Sequence, residues 1–152
     1  EVGNDHGRRC EAFATYMKEV DKVYDKYGIT NVFLATDSAQ VISELDKYPR
    51  YKFFYETKQN RGGARNRMRI ELALSQGLID NSLEAESAMS DVVLLSLTDV
   101  QVGKFSSNID RLAYEIKFVL NMRHMPYISM DAPWCFDFAM PAGEGDFGSF
   151  YC

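Results

Sequence analysis

The chain has 152 residues, enough for one domain with a core of its own. A hydrophobic share of 46% and a charged share of 26% are those of an ordinary globular protein, and a net charge of -5 disfavours nucleic acid or an anionic membrane surface as the main partner. No apolar run reaches the length of a bilayer span and nothing resembles a cleavable leader, while the opening at Glu1 rather than Met points to an N-terminus that is missing or processed. Cys10, Cys135 and Cys152 are an odd number without C-x-x-C spacing, which argues against a zinc site and leaves both a disulfide and free thiols open.

Residues 1–9 are polar and contain glycine, a lead-in whose His6 is expected to be solvated. From Cys10 to Tyr27, Phe13, Tyr16, Met17, Val20, Val23, Tyr24 and Tyr27 recur at helical spacing with charges between them, and Gly28 is placed to end the helix. Asn31–Thr36 (NVFLAT) is a near-continuous apolar run, the pattern of a strand buried on both faces. Asp37-Ser38 follows, placed to cap a helix through Val41, Ile42 and Leu45 that stops at Pro49. Asp37 is either that plain cap or a ligand residue at the carboxyl end of a parallel strand.

Tyr51–Tyr55 (YKFFY) is a third β signal by aromatic enrichment. Residues 56–69 hold Lys58, Arg61, Arg65, Arg67 and Arg69 beside a glycine pair, a composition that suits phosphate but equally a solvated loop. A short helical piece from Ile70 to Leu74 is ended by Gly77. Ser82 is the expected cap of a helix running through Ala88, Met89, Val92, Val93, Leu95 and Leu97, apolar on more than one side and so expected to be deeply packed. Asp91 inside it lies on a solvent stripe or is held for a purpose, because a carboxylate there is costly to bury without a partner.

Val100 and Val102 mark a short strand, and Gly103-Lys104-Phe105-Ser106-Ser107-Asn108 a tight turn into a helix from about Ile109 to Arg123. Ser106, Ser107 and Asn108 are strong capping types, and a helix N-terminus entered from a parallel strand is a natural phosphate site; the alternative is a capped helix with no ligand. Tyr127–Met130 is a final edge strand. The tail DAPWCFDFAMPAGEGDFGSFYC is expected to wrap the body as an irregular ordered loop anchored by Trp134, Phe136 and Phe138. The alternation of helix and strand predicts an α/β fold: a three-layer Rossmann-like domain over residues 1–130, with a mostly parallel sheet flanked by helices, and an irregular aromatic tail over 131–152 packed on it.

Three blocks give the chain a likeness to a known family. VFLATDS at Val32–Ser38, Asp91 followed by LLSLTDVQVGKFSSN, and Arg111-Leu112-Ala113-Tyr114-Glu115 together resemble the donor-binding half of the α1,6-fucosyltransferase family, which makes core fucose on N-glycans. The likeness spans most of residues 10–122 and implies a two-lobed transferase that uses GDP-fucose as donor and a glycan as acceptor, without a metal or other cofactor, in the Golgi lumen or secretory pathway. By matching position it implies that Asp91 addresses the base or ribose, that Ser106, Ser107 and Asn108 hold the diphosphate, and that Asp37 supports nearby basic residues. Arg111, Tyr114 and Glu115 become structural, and Glu11 falls near the family's proposed catalytic carboxylate, with a shorter spacing to Tyr16.

The chain departs from the pattern in three places. The H-x-R-R-x-D segment, whose arginine neutralises the leaving diphosphate, would fall just before Glu1, and Arg8-Arg9 is followed by Cys10 rather than aspartate. Lys104 stands where the family has threonine, and the tail does not look like the small barrel of animal members. The two resulting readings are a donor-binding lobe of a fucosyltransferase and a non-catalytic module of the same fold, docking on protein partners through its tail.

Overall fold

The computed structural model describes residues 11–57, 76–77, 80–131, 141–145 and 148–151. His6, the three cysteines, the basic cluster from Lys58 to Arg69, the helical piece from Ile70 and the tail anchors Trp134, Phe136 and Phe138 lie outside the described residues.

Helix α1 spans Phe13–Tyr27 and buries Met17 and Val23, two of the apolar positions that recur at its period. Gly28 ends it in the left-handed region at φ 69, and its N–H donates to the Tyr24 carbonyl at 2.7 Å. β1 follows at Asn31–Phe33, then α2 at Ala39–Ser43, a 3-10 turn at Leu45–Lys47 and β2 at Lys52–Phe54. The strands are shorter than their apolar runs, and β1 is half-buried at Val32 and Phe33 rather than covered on both faces. Ser38, not Asp37, caps α2: its hydroxyl accepts from the Val41 N–H.

Helix α3 runs from Asn81 to Ser96. Asp80 caps it in place of the expected Ser82, because its carboxylate accepts from two first-turn amides, Ser82 at 2.8 Å and Leu83 at 3.1 Å. The expectation of deep packing is also corrected: one stripe is covered, comprising Ser87, Asp91, Val92 and Ser96, while Leu83, Met89, Val93, Leu94 and Leu97 are exposed. β3 is Gln101–Gly103, α4 is Asn108–Asn121 and β4 is Tyr127–Ser129. α4 stops at Met122, which takes the left-handed conformation itself at φ 51.

β1 pairs with β2 in parallel, Val32 opposite Phe53, and β3 pairs with β4 in parallel, Val102 opposite Ile128. The parallel pairing and the helix–strand alternation are those the sequence predicts. The continuous sheet is not formed: among the described residues the four strands make two separate pairs. α1 bridges them. Phe13 meets Phe53 of β2 at 6.4 Å and Tyr24 meets Tyr51, just ahead of β2, edge-on at 6.2 Å, while the same helix packs against β3 of the second pair. The Tyr51 hydroxyl donates to Asp21 at 2.5 Å; burial first, and then the adjacent carboxylate, push it up to about 12. The tail departs from its irregular reading. Pro141–Gly145 and Gly148–Tyr151 pair antiparallel as β5 and β6, a pairing that no apolar period in the tail announces.

α3 packs against α4, and α4 buries Ala113 and, fully, Lys117. The Lys117 ammonium donates to Thr98 Oγ1 at 2.8 Å, and burial lowers its pKa to about 8, against the pull of Asp99. Below pH 8 the folded chain carries this buried charge, whereas an unfolded lysine gains or loses nothing by it until about 10.5. Folded stability therefore rises from pH 8 toward pH 10, before the tyrosines held neutral by burial reverse the trend. Urea midpoints at pH 7.5, 8.5 and 9.5 should climb for the parent chain and stay level for Lys117→Met.

Candidate functional site

The turn between β3 and α4 is the most constrained feature among the predicted site residues. β3 delivers Gly103 buried, and the chain reverses through Lys104–Ser107, closed by a hydrogen bond from the Ser107 N–H to the Lys104 carbonyl at 3.0 Å. Phe105 pins the turn from below: it stacks on Tyr127 at 3.8 Å and meets Tyr114 edge-on at 5.6 Å. Tyr114 in turn donates to the Met125 carbonyl at 3.3 Å, so the helix that follows the turn is tied to the strand that follows the helix.

Ser107 is the cap of α4, its hydroxyl accepting from the Asp110 N–H at 3.3 Å. Asn108 and Ile109 stand in the first turn, where backbone N–H groups have no intrahelical acceptor. Ser106 is committed elsewhere: its hydroxyl donates to Asp131, whose other oxygen accepts from Ser129 at 3.3 Å.

Asp110 was not foreseen as a site residue, and it holds the turn together. One oxygen accepts from the Lys104 backbone N–H at 3.0 Å and the other from Gln101 Nε2 at 3.3 Å. Ser107-Asn108-Ile109-Asp110 has the [ST]-x-x-[DE] spacing that signals a capping box, which was the available clue. Here the carboxylate reaches past the cap to Lys104 instead. Burial raises its pKa, with the bonds from Lys104, Gln101 and Ser107 opposing. The buried Tyr127 hydroxyl beside it has no hydrogen-bond partner among the described residues, and burial, then Asp110 and Asp131, push its pKa up.

The remaining predicted residues are spread more widely. Asp91 is buried in α3, which rules out the solvent stripe. Asp37 is exposed after β1, and Glu11 is half-buried ahead of α1, in the wall of a cleft of about 530 Å³ between the two strand pairs. Asn108 and Glu115 face solvent, whereas Lys104 and Arg111 are half-buried. The structure thus brings together Lys104, Ser106, Ser107 and Asn108 at one helix end. Among the described residues, no group of three His, Cys, Asp or Glu is gathered that could hold a metal ion, and no helix is long and apolar enough to cross a membrane.

The fold and the turn define an α/β domain with parallel strand pairs and a serine-capped helix N-terminus at a strand's carboxyl end. Residues 10–131 match the model of the alpha-(1,6)-fucosyltransferase N- and catalytic domains, and the chain belongs to that family. It is similar to the alpha-(1,6)-fucosyltransferase of Drosophila melanogaster, 34% identical over 110 residues, which are 70% of this chain and 16% of that relative.

The tight fit at the turn has a direct consequence. A Cβ at position 103 would lie 2.7 Å from Asp110 Cγ, so Gly103→Ala must displace the carboxylate. Asp110→Ala strands the Lys104 N–H, at a cost of about 1–3 kcal/mol. Because both changes break the same contact, the double variant should lose about 1 kcal/mol less than the sum of the singles. Strict additivity in urea unfolding would show that Asp110 does not brace the turn.

Proposed function

We propose that this chain is the donor-binding lobe of a fucosyltransferase that carries fucose from GDP-fucose to a glycan acceptor in the intact protein. Family membership across residues 10–131 supports the sugar-nucleotide chemistry. The observation that carries the assignment to a place is the Ser107-capped N-terminus of α4, entered directly from the parallel strand β3. A diphosphate there meets first-turn amides and the positive end of the helix. Lys104, Ser106, Ser107 and Asn108 surround it, Asp91 addresses the base or ribose, Asp37 flanks the adjoining strand end, and Glu11 takes the acceptor proton. No metal or further cofactor enters this reading.

In this reading Asp131 is a competitor. Its carboxylate occupies the Ser106 hydroxyl that the diphosphate would use, and together with Asp110 it sets two negative charges against an incoming anion.

Calorimetric titration of the chain with GDP tests the reading. Saturable binding is expected, weakened about five- to tenfold in Ser107→Ala through loss of the capped donor array, weakened in Asp91→Asn, and strengthened in Asp131→Asn. If the parent and Asp131→Asn are folded by circular dichroism yet neither takes up GDP, the donor-site assignment is wrong. The family fold would then serve a non-catalytic role in this chain.

A further inference from the structure

α4 is inverted relative to a helix whose outer side meets water. It buries Lys117 completely, yet Val119, about 160° round the helix from it, is 63% exposed. At about 100° per residue, Ile109, Leu112, Val119 and Leu120 fall within an arc of about 100°, with the half-buried Ile116 inside it. α3, which packs against α4, repeats the pattern: Leu83, Met89, Val93, Leu94 and, just past its end, Leu97 share an arc of about 140°.

The exposed apolar side chains on these two helix faces each stand between 41% and 65% open. A fully exposed aliphatic side chain offers about 100 Å² of apolar surface, so together they leave about 450 Å² uncovered. A standard interface takes about 800 Å² from each partner, of which about 57% is apolar. The two faces therefore hold the apolar share of one side of a stable dimer.

The spacing says what the other side is. Ile109, Leu112, Ile116 and Val119 follow the 3-4-3 step of a coiled-coil seam, and none of the four is charged. Such a seam complements itself when reversed. With a two-fold axis at the level of Tyr114, Ile109 meets Val119 of the second copy and Leu112 meets its Ile116, and both layers recur on the far side of the axis.

We propose that the outer faces of α3 and α4 form an interface between two copies of this chain. A two-fold axis lays α4 antiparallel on α4 of the second copy, with the two α3 helices covering each other alongside. The Ser107-capped ends then stand at opposite ends of the helix pair.

Sedimentation equilibrium of the full chain tests this. The parent should reach twice the monomer mass, with a dissociation constant in the micromolar range. Ile109→Lys and Val119→Glu should each stay folded by circular dichroism and weaken the dimer at least tenfold, because each homodimer sets two charges against apolar side chains. Mixed in equal amounts, the two variants should recover a dimer. In the mixed pair the introduced lysine and glutamate meet at one layer, and the unaltered Val119 and Ile109 meet at the other. Leu97→Glu, at the exposed end of α3, should weaken the parent dimer at least threefold. A parent that remains monomeric at about 100 μM overturns the proposal and leaves these faces to a different partner. A dimer that survives both seam variants also overturns it, because the contact then lies elsewhere. Failure of the mixture to associate refutes the antiparallel register. If a seam variant does not fold, Leu97→Glu decides: unchanged association overturns the proposal.

Discussion

The placement of the candidate site depends on one carboxylate. Asp110 joins the end of β3, the turn and the first turn of α4 by accepting from Gln101 and from the Lys104 backbone at once. Neither bond is local in the helical sense: one reaches back to Gln101, fixed by the β3–β4 ladder, and the other to Lys104, the residue that directly follows β3. The close approach of Gly103 to this carboxylate explains why a residue without a side chain sits at the strand's end. Burial makes the arrangement demanding, because a carboxylate with little water around it must be satisfied by the protein. It is satisfied by donors that belong to the turn itself, so the turn's shape and the state of Asp110 are not independent.

The aromatic layer beneath reinforces this from another direction. Phe105, Tyr114 and Tyr127 come from the turn, from α4 and from β4, and their mutual ring contacts join the three alongside the Tyr114–Met125 hydrogen bond. α1 plays a similar joining role, with Phe13 against Phe53 of β2, Tyr24 against Tyr51 just ahead of it, and the helix packed on β3. The parallel ladders are short, three residues per strand in each pair, and aromatic contacts add to them within each unit while α1 packs on both.

Much of this was legible in the chain. The helical period of α1, its stop at Gly28, the Ser107 cap and the family blocks around Asp91, Ser106 and Glu115 are local patterns, and local patterns survive without tertiary information. What failed was decided between competing neighbours or at a distance. Asp80 displaced Ser82 as the α3 cap because its carboxylate accepts from the Ser82 and Leu83 amides, which starts the helix two residues earlier. The exposed face of α3 was invisible because an apolar residue carries no record of whether anything covers it. The antiparallel pairing in the tail hid behind glycine-rich composition, and the break between the strand pairs concerns which edges meet, which periodicity within one strand does not encode. The role of Asp110 lay half in view: the capping spacing was present, but its actual donors depend on where β3 ends.

The electrostatics of the helix end then follow from the same architecture. A capped N-terminus favours an anion, yet the turn is braced by Asp110 and its outer serine is held by Asp131. The two effects oppose each other at one place. The brace cannot be given up, because the turn's backbone donor at Lys104 is committed to it. Asp131 differs in position: it sits exposed just beyond β4, and its carboxylate accepts from the side-chain hydroxyls of Ser106 and Ser129. In the donor-site reading proposed above, a diphosphate displacing Asp131 would recover the Ser106 hydroxyl and leave the Asp110 brace intact. In that reading the Asp110 carboxylate shapes the turn, while the exposed Asp131 carboxylate would compete with an anion for the Ser106 hydroxyl.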